Sequence, residues 1–433
     1  MQKLFKYLIR RGYEYTFGSK MSAGEENFFD SLYRIGGGML LATVFLYIFN
    51  VAAGRALGPS AYGSFMLTQS IAMFLYIPML QGFNVAMVKY AAEKDDPACQ
   101  RVIISSAFLL TVFFCIVSIC LYLWFFGYLT RLIHAGRGIL GMAIIFAFLF
   151  SLYTLMMDAL RSLFKMKAYA VIQPLCAIMA LMIFLVFIAA GRVSAVSAIA
   201  SICLAYITVI CIIIFLTRNY LGFTLDRSRL KQLFQYSAYA AVGTISFSVC
   251  TNLDKVLINK YLTISDVGTY SVYYVGSVNI MVVMAFLVFN SVFFPMASRL
   301  KDKSFLFTKI NHIVPYAFLG GIPCLAAIEF VIFKCYGSAY HFDIKLALMF
   351  AVASIMLFVN SGYGALAMSC GKEGVKLTAF ANIIAVLLNI FFNILLIPAA
   401  GMPGAVGSAI ISYVIYLSII FINSKKVMLS HVQ

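Results

Sequence analysis

Charge is scarce in this 433-residue chain: only 11% of its residues are Asp, Glu, Lys or Arg. A soluble domain carries about 25% charged residues, so a water-soluble fold is excluded. Histidine is rarer still; the four present are scattered without ligand spacing, and they argue for no metal site. The ten cysteines form no Cys-x-x-Cys and sit mostly inside apolar runs. There they act as small hydrophobes, so no disulfide framework is read. No Gly-x-x-x-x-Gly-Lys-[Ser/Thr] occurs, and "SCGKE" (Ser369 to Glu373) lacks both the spacing glycine and the hydroxyl residue. ATP hydrolysis by this chain alone is excluded, and no cofactor is implied. No polar stretch exceeds the N-terminal segment, so no hidden soluble domain is read.

What is abundant is hydrocarbon. The chain is 63% hydrophobic, with mean hydropathy +0.98. Apolar runs of about 20 residues, enough to cross a bilayer as helices, recur along it. They predict an all-α polytopic membrane protein with twelve spans, at 32–54, 62–90, 101–126, 138–160, 169–190, 194–217, 233–262, 267–298, 309–333, 344–369, 375–397 and 404–423. With the N-terminus placed in the cytoplasm, 24 of the 32 basic residues fall on the inner side. That asymmetry predicts both termini inside, in the cytoplasmic membrane. Basic inner loops beside anionic lipid also account for the net charge of +17, so no nucleic-acid partner is needed.

The string "RALGPSAYGSF" (Arg55 to Phe65) returns as "KYLTISDVGTY" (Lys260 to Tyr270) at an offset of 205. Leu57, Ser60 and Gly63 meet Leu262, Ser265 and Gly268. "AAGRVSAV" (189–196) returns as "AAGMPGAV" (399–406), and "DALRSLFK" (158–165) more weakly as "GALAMSCG" (364–371). Three anchors in one order predict a duplicated six-helix unit. The units are residues 31–217 and 233–424, joined by a linker at 218–232, with an N-terminal segment at 1–30 and a tail at 425–433. Six is even, so both copies enter the membrane from one side, and a central cavity is expected between them. "KLFKYLIRR" near the N-terminus alternates apolar and basic faces and reads as a helix lying on the inner leaflet.

These strings resemble landmarks of the multidrug/oligosaccharidyl-lipid/polysaccharide exporter superfamily, and most of all its polysaccharide-transporter branch, which includes O-antigen flippases. "ARALGPSAYGSF" is similar to the pattern after its first span, and "LDKVLINKYLTISDVGTYS" to its seventh. "FFPMASRL", "CYGSAY" and "GMPGAVGSAI" are similar to later landmarks. The resemblance covers roughly residues 31–424. It implies a monomeric flippase, not an enzyme, that moves a lipid-linked anionic saccharide from the inner to the outer leaflet among membrane lipids. Two alternatives stay open. A cation-coupled multidrug exporter of the same superfamily needs deep carboxylates, and the first bundle has none at mid-membrane depth. A membrane glycosyltransferase or polymerase needs a large acidic outer loop, and 127–137 has no carboxylate.

A charge inside a span costs about 2.5–3.5 kcal/mol on insertion scales, so each asks for a reason. Asp254 and Lys255 lie deep in span seven. Neighbours on a helix point about 100° apart and do not simply neutralise each other. Lys255 falls at the repeat position of Asn50, as a shared cavity requires. Either Lys255 meets a head group and Asp254 couples to a proton or sodium ion, or Asp254 ties to a neighbouring helix and Lys255 snorkels. Arg34, before the flexible Gly36 to Gly38, either binds phosphate or anchors span one. Lys89 reads first as an anchor and stands with Arg34, Asn50 and Lys255 as a head-group candidate. Arg55, Arg161 and Lys260 read as anchors, and Asp158 as a surface partner of Arg161. Glu329 reads as interfacial unless it faces a cavity, where it becomes a second ion-coupling candidate. Pro78, Pro315 and Pro323 mark places where helices bend.

Overall fold

The computed structural model describes residues 23–93, 96–222, 226–299 and 303–432. The expected amphipathic stretch near the N-terminus lies outside them. Every regular element among the described residues is helical. In chain order they are α1 (Ala23–Leu80), α2 (Phe83–Ala92), α3 (Pro97–Trp124), α4 (Phe126–Ile133), α5 (Arg137–Ser162), α6 (Met166–Ala189) and α7 (Ala195–Thr217). Then come α8 (Arg227–Tyr261), α9 (Ile264–Gly276), α10 (Val278–Ala285), α11 (Phe294–Arg299), α12 (Ser304–Tyr336), α13 (Ile344–Ser369), α14 (Lys372–Ala400) and α15 (Met402–Val432).

Among the described residues ten stretches are long and apolar enough to cross a membrane, so this is a multi-pass membrane protein. Twelve spans were expected. The first two are two helical segments joined within α1 across a kink at Gly58 (φ 73°), and they count once among the ten. The expected seventh span, α8, is 35 residues long but carries Lys231, Asp254, Lys255 and Lys260, and is not among the ten. Pro78 was expected to break the second span. The chain instead turns three residues on, at Gln81 and Gly82, both with positive φ. Pro315 and Pro323 sit inside an uninterrupted α12. The eighth span is broken by irregularity no proline announces. It kinks at Ser277 between α9 and α10, then widens into a π-helix over Phe286–Phe293.

The repeated strings explain several boundaries. Gly191 and Gly401, equivalent in the second anchor, both take left-handed backbone at φ 67° and 66° and end their helices. Only glycine adopts that geometry without strain. The first anchor starts its following helix by two different devices. In one copy Gly58 turns the chain and Pro59 opens the next helical segment. In the other, Thr263 and Asp266 close a reciprocal capping box on α9.

Helices α1 to α7 pack mainly on one another, with α1 against α5 and α6 and α7 against both of those. Helices α8 to α15 do the same, with α15 against α13 and α14 and α8 against α14. The two groups meet chiefly along α1 and α9, with further contacts of α8 to α1, α2 and α3 and of α12 to α1.

Candidate functional site

The two copies of the repeated loop lie against each other where the groups meet. A Cβ added at Gly63 would stand 1.9 Å from the Ile264 carbonyl oxygen, and one at Gly268 would stand 2.1 Å from that of Pro59. Ile264 is the repeat equivalent of Pro59, and Gly268 of Gly63. Each loop therefore offers the same atoms to the other, the signature of a two-fold contact. Backbones approach this closely only where side chains are absent, as small-residue crossings in membranes require. Around this crossing Tyr62 and Tyr336 hydroxyls lie 3.2 Å apart, and the Tyr340 hydroxyl donates to the Gly54 carbonyl at 2.9 Å. Gly54 has no side chain because the Tyr336 ring fills that space. The Asn259 amide on α8 donates to the His134 carbonyl beyond α4 at 3.0 Å. Together these close the interface at the repeat-loop end.

Asn50 belongs to this closure. Its Oδ1 accepts from the Tyr62 hydroxyl at 3.1 Å, while its amide donates to the Leu46 carbonyl. At the opposite end the exposed Lys89 on α2 sets its ammonium 4.3 Å from the Tyr236 ring centroid on α8. Phe83 meets Phe234 edge-on nearby. Arg34 lies in α1, but its side chain is outside the described residues.

Asp254 and Lys255 are both buried, and no ion pair joins them. The carboxylate of Asp254 accepts from the Tyr270 hydroxyl at 2.7 Å and the Asn393 amide at 2.8 Å. Asn393 also donates to Asn389 Oδ1, while its own Oδ1 has no donor. Oxygen lone pairs outnumber protons here, an arrangement suited to a proton or a small hard cation. Lys255 does not snorkel: its ammonium turns back to the Thr251 carbonyl at 2.9 Å and lies 3.8 Å from the Tyr274 ring centroid. Asn389 and Asn393 were missed from sequence, although two asparagines four apart in an apolar span share one helix face.

Asp158, read as a surface partner of Arg161, and Glu329, read as interfacial unless it faces a cavity, are both buried. Asp158 accepts from Asn84 Nδ2 at 2.7 Å as well as from Arg161 at 3.0 Å, tying α2 to α5. Glu329 is 0% exposed; neither carboxyl oxygen has a donor in good hydrogen-bond geometry among the described residues, although the Ser277 hydroxyl interacts with the carboxyl. An apolar span end with a lone carboxylate looks the same in sequence whether it meets water or a helix; the packing of α9 decides it, since Gly276 lets that helix close to within contact of Glu329 Cγ. A cavity of about 510 Å³ opens between α1, α10 and α12, lined by Thr43, Tyr47, Ile280, Cys324 and Ile328 among others, and Glu329 is not in its lining. The Tyr47 hydroxyl is buried there without a partner.

Solved structures share this arrangement of two helix groups. The inward-facing conformation of a multidrug resistance MATE family transporter of the MOP superfamily is similar at TM-score 0.68 and 14% identity, covering 88% of this chain and 94% of that one. The lipid II flippase MurJ, in an inward closed conformation, is similar at TM-score 0.67 and 16% identity, covering 91% and 90%. An outward-facing MATE family transporter gives 0.60 at 14% identity, covering 95% and 99%. The fold is thus shared with these solved structures. The sequence profile described as polysaccharide biosynthesis protein matches residues 53–314, and the chain belongs to that family. No curated protein matches it.

Proposed function

We propose that the protein is a flippase carrying a lipid-linked saccharide from the inner to the outer leaflet by alternating access. The observation that carries the reading is the two-fold gate at Gly63 and Gly268, in a chain of a polysaccharide biosynthesis family. We read twelve spans in two six-helix bundles, 31–217 and 233–424, around a central cavity, with both termini in the cytoplasm. The gate then lies on the outer face of the cytoplasmic membrane, and the described conformation is closed to the outside. The cargo is an anionic lipid-linked saccharide, taken by a monomer from the surrounding lipid. Arg34, Asn50, Lys89 and Lys255 are proposed to meet its head group. Lys89 is exposed at the inner end, while Lys255 must first leave Thr251 and Tyr274. Asp254, with Asn389 and Asn393, is proposed to exchange a proton or sodium ion.

A membrane potential, negative inside, would add to the drive. Each charge crossing 100 mV gains about 2.3 kcal/mol, so a doubly anionic lipid gains roughly 4–5 kcal/mol if it crosses the whole field. A cation-coupled multidrug exporter is the second reading, favoured by the buried Asp254 cluster. Deletion of the gene followed by lipid extraction separates the two. A flippase mutant accumulates a lipid-linked saccharide on the inner leaflet. Normal lipid intermediates with heightened drug sensitivity would overturn the first reading in favour of the second.

A further inference from the structure

We propose that α4 lies in the head-group layer of the leaflet at the repeat-loop end, where Arg131 and Arg137 gather anionic phospholipid. The proposal does not depend on what cargo is carried.

The chain on either side fixes where α4 sits. Trp124 is the last residue of α3, a 28-residue membrane span, and α4 begins two residues later at Phe126. The short helix therefore starts where the hydrocarbon ends. At its far end the His134 carbonyl accepts from the Asn259 amide of α8 at 3.0 Å, which holds α4 beside the repeat-loop crossing. The lipid-facing side of α3 runs straight into this region. Phe113, Ile116, Leu121 and Leu123 are exposed along it, and Trp124 is 83% exposed.

The helix has three sides. At about 100° per residue, Phe126, Leu129 and Ile133 share one side, and all three pack on the core. Tyr128 and Leu132 point away from it, with Phe125 just before them, and each is more than half exposed. Arg131 projects between these two sides and is exposed, as is Arg137 at the start of α5. No Asp or Glu occurs between Asp96 and Asp158, so nothing along this stretch offsets the two guanidinium groups.

Neither water nor hydrocarbon suits such a surface. Trp124, Phe125, Tyr128 and Leu132 form an apolar cluster of the kind that soluble surfaces seldom leave uncovered. A guanidinium in the acyl region is costly. The head-group layer satisfies both. Indole and phenol rings rest there with their bodies in the acyl boundary and their polar tips in water. A helix with aromatic and aliphatic residues on one face and arginine beside them is the pattern of a surface-lying membrane element. Guanidinium forks match phosphate oxygens, and unopposed positive charge selects anionic over zwitterionic lipid.

Trp124 is the one tryptophan in the chain, so its fluorescence reads this site without a label. The full chain is placed in phosphatidylcholine vesicles holding a fixed fraction of brominated lipid. Bromine near the glycerol end of the acyl chains should quench Trp124 more than bromine near the methyl end, and aqueous acrylamide should quench it weakly. At equal content, brominated phosphatidylglycerol should quench as if enriched roughly fivefold over brominated phosphatidylcholine for each arginine that engages. Arg131→Gln with Arg137→Gln should remove that excess and leave the depth profile as it was. Raised salt should shrink the same excess in the unmodified chain, which keeps the test open if the double variant does not fold. Free quenching by acrylamide with none by bromolipid puts Trp124 in water and overturns the proposal. Protection from both quenchers places a second protein surface over the cluster and overturns it equally. Equal quenching by the two brominated lipids overturns the anionic assignment.

Discussion

Asp254 and Glu329 are buried to nearly the same degree, 3% and 0% exposed, in two helices of the same group. Their surroundings are opposite. Asp254 holds a hydroxyl from α9 and an amide from α14, so it joins three helices. Glu329 faces only the Ser277 hydroxyl, with no donor in good hydrogen-bond geometry. Burial alone therefore says little about what a carboxyl does in a membrane protein; the census of protons pointed at it says much more. A satisfied carboxylate is part of the scaffold as well as a candidate ion ligand. An unsatisfied one is retained at a cost that packing does not explain.

The sharpest way to break this comparison is to remove both groups. Asp254→Ala strands the Tyr270 hydroxyl and the Asn393 amide. Unpaired buried groups cost about 1–3 kcal/mol each, so a loss of about 3 kcal/mol is expected in detergent thermal unfolding. A loss no greater than that of Glu329→Ala would end the distinction. Next, Asn393→Leu leaves one Asp254 oxygen without its donor, and about 2 kcal/mol should go by the same reasoning. Lys255→Met exchanges a buried ammonium for an apolar chain of similar length, which is often near neutral. Stability within about 1 kcal/mol of wild type is expected, with reduced export. Full export in a Lys255→Ala, Arg34→Ala double variant would remove both from the head-group set. The smallest effect should come from Glu329→Gln, which keeps an oxygen to face the Ser277 hydroxyl; a change under about 1 kcal/mol is expected. A larger drop than Asp254→Asn produces would show that Glu329 has further partners.

Much of this was legible in the sequence, and the exceptions share a cause. Composition and run length gave the membrane class, and the repeat gave the pairing of Gly63 with Gly268 before any coordinates. The sequence could not say that those glycines touch, because a repeat places equivalent residues in equivalent environments without bringing them together. The kink at Ser277 and the π-helix over Phe286–Phe293 were invisible because helical irregularity without proline arises from neighbouring helices. Lys255 was expected either to meet cargo or to reach outward. It turns back on its own helix because Tyr274, one span away, offers a ring face at 3.8 Å. Asp158 and Glu329 were misplaced for the same reason: position along a span gives depth, while exposure depends on what packs around the axis.

The crossing of Pro59 to Gly63 with Ile264 to Gly268 has one more consequence. Each strand of the crossing presents what the other receives, so the surface is complementary to itself. A protein made from one half of this chain would already own both sides of the joint, and two parallel copies could close on each other as a homodimer does. Fusion of the halves then frees each side to change separately. Thr263 with Asp266 in one copy, and Gly58 with Pro59 in the other, are the mark of that divergence.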